Sequence, residues 1–188
     1  MVAERLAEEL RARGALLTGH FRLSSGRHSD RFVQKFRILE DPKIVEPIAA
    51  AIAAAAREFR PTVVVSAAVG GIVLGYEVAR ALGTHAIFVE KERGVPALRR
   101  GFELGANDRA LVVEDVMTTG QSVREVVDVV RERGAEVVAV AAIVRREPQE
   151  FNVPTVTLLD LPVASFDPGD CPLCADRIPL SEPGSRRL

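Results

Sequence analysis

Five short apolar runs constrain this chain more than any other feature. Val63-Val64-Val65, Ala86-Ile87-Phe88-Val89, Leu111-Val112-Val113, Val137 to Val144 and Thr155 to Leu159 are rich in β-branched residues, and polar positions rarely interrupt them. A strand with one wet face alternates apolar and polar residues, whereas a strand covered on both faces is apolar almost throughout. Helical segments separate the runs. Ile72 to Leu82 ends at Gly83, and Ser122 to Arg133 ends at Gly134, which places glycine just past each helix. Strands of this kind alternating with helices predict an α/β architecture, a central parallel sheet flanked by helices. The 188 residues suffice for one domain with a full core.

Upstream, Val2, Leu6 and Leu10 recur at helical spacing among charged residues over 2–13. Residues 20–38 mix aromatics, Ser, His and Arg and suit short strands or an ordered loop. Asp41-Pro42 reads as a helix cap with proline at the first helical position. The Ala-rich helix behind it runs to Phe59, and Pro47 inside it predicts a kink or a delayed start. The segments divide as 1–40, an N-terminal helix and covering segment; 41–160, the α/β core; and 161–188, an extended and partly mobile tail.

Several function classes are excluded or disfavoured. The net charge of −1 supplies no general basic field for nucleic acid, so any anionic ligand must be held by local charges. No apolar run approaches the ~20 residues of a membrane span, and Met1 to Leu6 lacks a signal peptide's apolar core. The expected location is therefore cytoplasmic.

The richest chemistry lies at Glu114-Asp115-Val116-Met117-Thr118-Thr119-Gly120-Gln121-Ser122. Two carboxylates stand at the carboxyl end of an apolar strand, where open parallel sheets bind ligands. The turn into the next helix offers backbone N–H groups and a helix N-terminus, which together cradle an anion. Hydroxyls of Thr118, Thr119 and Ser122 add donors, and Gly120 lets backbone approach closely. The carboxylates accept hydrogen bonds from a ribose diol and attract hydrated Mg2+. Taken singly, the parts are an acidic strand end and a plain helix cap; the whole string in this order is specific. The Walker and dinucleotide glycine patterns are both absent.

This string resembles the phosphoribosyl-diphosphate signature of type I phosphoribosyltransferases. The resemblance implies that family's fold, with a small N-terminal hood and a flexible lid loop. It implies Mg2+ held through substrate and waters near Glu114 and Asp115, with no direct protein ligand. Asp115 falls at a position of catalytic importance in the family.

Three further segments resemble orotate phosphoribosyltransferases: Gly19 to Ser29, which in that family lies over the base; Ile87 to Phe102, with Lys91 followed by Leu98-Arg99-Arg100-Gly101-Phe102; and Val144-Arg145-Arg146. Cys171-Pro172-Leu173-Cys174 with Ile178-Pro179-Leu180 also resembles bacterial members. By this resemblance Lys91, Arg93 and Arg99 join Glu114 to Ser122 in holding 5-phosphoribosyl 1-diphosphate, and Lys91 is the catalytic cation of the lid. The same resemblance implies that Arg146, Thr118 and backbone near Phe32 and Val33 recognise orotate, which suits a guanidinium's pairing with a carboxylate. The implied reaction forms orotidine 5′-monophosphate and diphosphate in pyrimidine synthesis, in a homodimer whose lid loops cross the interface.

The chain departs from many relatives at Ser24, where they carry Lys; at Asp30-Arg31, in place of Pro-Tyr; at Val69-Gly70, in place of Tyr-Lys; and at Glu90-Lys91, in place of Arg-Lys. These departures shift the charge burden to Lys91, Arg93, Arg99 and Arg100. The long connection Lys91 to Gly105 reads as the lid. Two rival functions remain: a purine phosphoribosyltransferase, and a non-catalytic regulator that senses the sugar diphosphate. The second is disfavoured because residues 1–40 show no helix-turn-helix or basic stripe. Cys171 and Cys174 supply only two of four zinc ligands. They read first as an ordinary reduced pair, with a metal shared across a dimer as the lesser alternative, and His28 reads as a surface residue unless it contacts ligand.

Overall fold

A computed structural model describes residues 2–23 and 25–183; Ser24 and the last five residues of the tail lie outside the described residues. The chain opens with helix α1, Val2–Ala12, whose Leu6 and Leu10 are buried. Strands β1, Leu16–Arg22, and β2, His28–Val33, pair antiparallel. A single helical turn, α2, Phe36–Leu39, leads into α3, Pro42–Ala56. Asp41 caps α3 by accepting from the Lys43 N–H at 3.0 Å. The helix starts at Pro42 without the delay expected from Pro47 and runs through that residue. Its buried face of Val45, Ile48, Ala49, Ile52, Ala53 and Ala56 anchors it on both sides of the proline, so tertiary packing compensates for one missing N–H donor.

The core follows as β3, Val63–Ala67; α4, Gly70–Leu82; β4, His85–Glu92; β5, Val95–Leu98; β6, Arg109–Met117; α5, Gln121–Glu132; β7, Glu136–Arg145; and β8, Thr155–Asp160. The sheet order is β5-β4-β3-β6-β7-β8. All neighbours are parallel except β4 and β5. The five apolar runs are thus the five parallel strands.

Their continuous apolarity has the expected cause. Val64, Leu111 and Val113 pack into one cluster with Leu10 of α1, Ile48 and Ile52 of α3, and Leu74 and Val78 of α4. Val63, Val65, Ala110 and Val112 pack into a second cluster with Val123, Val126 and Val130 of α5. Successive side chains point to opposite faces, and each face has its own helices.

Two expectations are corrected. The connection from Lys91 is not irregular at its start: β4 extends to Glu92 and turns back through Arg93-Gly94 into β5, with Lys91 opposite Pro96. Arg93 and Gly94 have φ of 51° and 87°, the pair of positive values that a tight two-residue hairpin needs. The described part of the tail, up to Pro183, is also docked and not extended away. Strand β9, Ser165–Phe166, pairs with β2 at His28 and Ser29, completing a three-stranded hood sheet. Helix α6, Pro172–Ala175, follows, and Ser181 exchanges backbone hydrogen bonds with β1, its N–H donating to His20 and its carbonyl accepting from Arg22. Arg27 adds an ion pair to Asp167 at 2.9 Å and donates to Ser165. No helix among the described residues is long and apolar enough to cross a membrane.

Candidate active site

Strand β6 ends at the centre of the sheet, and its last residues carry Glu114 and Asp115, both buried. Adjacent strand residues face opposite sides, so both carboxylates leave water only because both faces are covered. The Glu114 Oε1 atom accepts from the Asp115 N–H at 3.0 Å, and Asp115 Oδ1 accepts from the Val116 N–H at 2.7 Å. Burial, with the neighbouring Asp115 charge second, pushes the Glu114 carboxyl up from 4.5 to about 8; Lys35 acts in the opposite sense. Burial thus favours the protonated form of Glu114, and an approaching cation favours the carboxylate.

Lys35 is the residue that sequence reasoning missed. Its Nζ lies 2.8 Å from Asp115 Oδ2 and 3.1 Å from Oδ1. It stands between β2 and α2, at the foot of the hood, and it bridges the hood to the core. The start of α4 closes the same space. A side chain at Gly70 would place its Cβ 2.1 Å from Asp115 Oδ2 and 2.6 Å from Lys35 Nζ. The absence of a lysine at position 70 thus has a local reason: the volume it would leave through is filled by Lys35 and Asp115. The available signal was the scarcity of lysine, which occurs at 35, 43 and 91 alone.

Beyond Met117 the chain turns through Thr118, Thr119 and Gly120 into α5. Gly120 has φ of 75° and caps the helix. It is also pressed from behind, since a Cβ there would lie 3.0 Å from Phe151 Cζ and 3.1 Å from Gln149 Cγ. Gln149 donates to the Thr118 carbonyl, and Arg124 donates to the Thr119 carbonyl at 2.6 Å. These backing contacts occupy the loop's acceptors and fix its shape. On the other side a cavity of about 110 Å³ is lined by Glu114 and by every residue from Val116 to Val123. The first N–H groups of α5 have no intrahelical acceptor, and no acidic residue occupies its first turn. The cavity is therefore suited to an anion.

Lys91 approaches the same helix. Its Nζ pairs with Glu125 Oε1 at 2.8 Å, and that oxygen also accepts from Gln121 Nε2 at 3.1 Å. Arg93 and Arg99 lie farther out on the hairpin segment. Arg93 sits at the tip, and Arg99 pairs with Glu92 at 3.0 Å. Arg100 is held by both carboxylate oxygens of Glu90 at 2.8 and 3.0 Å. Of the lid cations, Lys91 alone among the described contacts joins the residues around the loop.

Arg146 closes the opposite side. Its N–H donates to the Met117 carbonyl at 2.9 Å, which holds it beside the loop. Its guanidinium is buried and reaches Ser29 Oγ of β2 at 3.4 Å. The Nε atom is buried without a partner, and no carboxylate among the described residues forms an ion pair with this side chain. Burial pulls its affinity for protons below the ordinary value, against the attraction of Glu147 and Asp30. A buried guanidinium with spare donors is a receptor for an anion. Phe32 and Val33 spend their side chains elsewhere: Phe32 packs against Phe21 with tilted rings 5.8 Å apart, and Val33 lies in the core. They retain only backbone for a ligand. Strand β9 covers β2 at His28 and Ser29, so the outer edge of β2 near Phe32 has no strand partner among the described residues.

Chemically, the site joins an anion cradle, a carboxylate pair of hard oxygen donors and a buried cation around one strand end. Glu114 and Asp115 fit a ribose diol, or Mg2+ approached through water. The family model for the phosphoribosyl transferase domain matches residues 36–160, which contain the strand end, cradle and hairpin. The chain is 43% identical over 190 residues to the orotate phosphoribosyltransferase of Caldanaerobacter subterraneus subsp. tengcongensis, covering 100% of both chains. It is 45% identical to the orotate phosphoribosyltransferase of Thermotoga petrophila over 97% of this chain and 99% of that one. The crystal structure of Mycobacterium tuberculosis H37Rv orotate phosphoribosyltransferase in complex with Fe(III) dicitrate superposes with a TM-score of 0.72 at 28% identity, over 86% of this chain and 97% of that chain. With likeness of this degree running from end to end, the chain belongs to the orotate phosphoribosyltransferase family.

Proposed function

We propose that the chain transfers ribose 5-phosphate from 5-phosphoribosyl 1-diphosphate to orotate, with Mg2+, giving orotidine 5′-monophosphate and diphosphate for pyrimidine synthesis. The observation that carries the choice of orotate is Arg146, a buried guanidinium beside the phosphate cradle with donors to spare. A carboxylate-bearing pyrimidine supplies the missing anion; an uncharged purine does not.

In this reading Thr118 to Ser122 hold the 5′-phosphate on the N-terminus of α5. Glu114 and Asp115 accept from the ribose hydroxyls. Asp115 is the catalytic carboxylate, placed to stabilise positive charge developing on the ribose. As the bond from the anomeric carbon to diphosphate breaks and the bond to the orotate nitrogen forms, the ribose passes through an oxocarbenium-like state. Lys91 balances the charge of the departing diphosphate, and Arg93 and Arg99 follow it as the hairpin closes over the site. Glu114 and Asp115 would hold Mg2+ through water, and the ion would supply electrostatic stabilisation of the leaving group. Closure excludes water, which would otherwise hydrolyse the activated sugar. Arg146, Thr118 and the backbone at Phe32 and Val33 orient the base. The enzyme works in the cytoplasm as a homodimer, with the exposed hairpin tip at Arg93 reaching across the interface.

The test is loss of orotate absorbance in the presence of the sugar diphosphate and Mg2+, with adenine and xanthine assayed beside it. Turnover of orotate alone is expected. Turnover of a purine alone overturns the assignment, and operator DNA binding without turnover identifies a regulator.

A further inference from the structure

His20 and His28 meet Cys171 and Cys174, a pair more than 140 residues away, in the hood, with all four ligand atoms within 4.8 Å of one another. We propose that these four side chains form a structural zinc site, contained in one chain, that fastens the C-terminal segment to the hood.

Four of the six edges of the cluster match those of a tetrahedral site. With Zn–N near 2.05 Å and Zn–S near 2.3 Å, tetrahedral edges are about 3.3 Å for two nitrogens and about 3.6 Å for nitrogen to sulfur. His20 Nε2 lies 3.0 Å from His28 Nδ1. The Cys171 and Cys174 Sγ atoms lie 3.6 and 3.7 Å from His20 Nε2, and Cys174 Sγ lies 3.3 Å from His28 Nδ1. Each of these four is within a few tenths of an ångström of its edge, and the remaining two pairs lie within 4.8 Å, which a small shift of Cys171 on metal binding would close.

The surroundings prepare the ligands. His20 Nδ1 lies 2.7 Å from the Ile178 carbonyl, which can only accept. Nδ1 must therefore carry the proton, and Nε2 presents its lone pair to the cluster; outer partners of this kind orient metal-bound histidines. Cys171 immediately precedes α6, and the N–H groups of Cys174 and Ala175 both donate to its carbonyl at 3.1 Å. That turn brings both sulfurs to one side. His20, His28 and Cys171 are buried, while Cys174 is exposed and leaves an entry path. Two thiolates and two neutral imidazoles around Zn2+ give a neutral centre, which a buried position favours. Soft sulfur donors select zinc over Mg2+, so the site does not compete with the catalytic ion.

The position also explains what the metal does. The ligands come from β1, β2 and the α6 turn, and Ser181 pairs with β1 at His20. His28 directly precedes Ser29, the residue that meets Arg146. Zinc would join chain ends separated by more than 140 residues and hold β2 over the cradle.

The experiment is metal analysis of the full chain, purified without a metal-affinity step after growth with zinc. One zinc per chain, retained through dialysis against Mg2+, is expected. Cobalt replacement should give the intense visible bands of tetrahedral S2N2 coordination. Chelation should lower the melting temperature and expose both thiols to an aromatic disulfide reagent in step with zinc release. The variants Cys174→Ser and His28→Ala should each lose stoichiometric zinc; if either fails to fold, the wild-type chelation measurements decide alone. A chain that takes up less than a tenth of an equivalent of zinc, with freely reactive thiols or a Cys171–Cys174 disulfide, overturns the proposal. An octahedral cobalt spectrum does so as well.

Discussion

Lys35 Nζ and Asp115 Oδ2 lie 2.8 Å apart, and this contact joins the hood to the end of the central strand. Asp115 is 1% exposed at its side chain, whereas Lys35 is 35% exposed. The carboxylate therefore depends on the ammonium more than the reverse. Lys35→Met keeps the stem and removes the charge, leaving the buried carboxylate with the Val116 N–H as its remaining backbone donor among the described residues. Allowing for solvent at Lys35, a loss of about 1–3 kcal/mol is expected by chemical denaturation. A loss below about 0.5 kcal/mol would show that the pair contributes no more than a surface ion pair. Gly70→Ala tests the same space from the other side. Its Cβ must push Asp115 or Lys35 away, and a similar destabilisation with at least tenfold weaker sugar-diphosphate binding is expected by calorimetry.

Glu114 sets a pH dependence. Its folded pKa of about 8 exceeds its ordinary 4.5, so the folded chain binds a proton that the unfolded chain has released between those values. The stability associated with that proton is complete below pH 4.5 and is lost as pH rises through about 8. In metal-free buffer, wild-type stability should therefore decline across this window more steeply than that of Glu114→Gln. Denaturation at a series of pH values checks the difference between the two; parallel curves would assign the decline to other groups.

Arg146 divides binding from folding. Replacing it with Gln removes a buried cation whose Nε has no protein partner, so stability should hold or rise. Orotate binding should weaken about ten- to a hundredfold, the worth of a charge-assisted hydrogen bond or two. The KM for the sugar diphosphate should change little. Steady-state kinetics with each substrate varied separately reads the split, and equal effects on both would place Arg146 in general architecture.

Lys91 rests on Glu125 at 2.8 Å, and the pair is partly exposed. Such a pair is weak enough to break when the hairpin closes. Lys91→Ala should lower kcat by roughly ten- to a thousandfold, the range for removing a group that meets developing charge, while melting temperature stays near wild type. Undiminished turnover would remove Lys91 from this role.

Much of the architecture was legible because its causes are local. Val63 to Val65 and Leu111 to Val113 are apolar on both faces because helices cover both, and a strand's own residues record that. Glu114 to Ser122 were equally readable, since strand end, cradle and helix start are contiguous in the chain. The hairpin through Arg93-Gly94 was not read, because its turn rests on a non-glycine residue accepting positive φ.

What only the tertiary structure decided are the meetings between distant segments. Lys35 reaches Asp115 across 80 residues, and Arg146 reaches Ser29 across 117. His20 and His28 stand buried beside the two free cysteines of the tail, whereas sequence reading placed His28 at the surface and considered a metal on the cysteines only as one shared across a dimer. Periodicity and spacing report what a residue's own element needs from its surroundings. Which remote side chain supplies that need depends on the order in which strands enter the sheet and on where the hood folds back. The sequence by itself therefore determined the sheet and the phosphate cradle, through patterns written within single elements. The charge partner of Asp115, the unpaired state of Arg146 and the four-ligand cluster arose from chain topology.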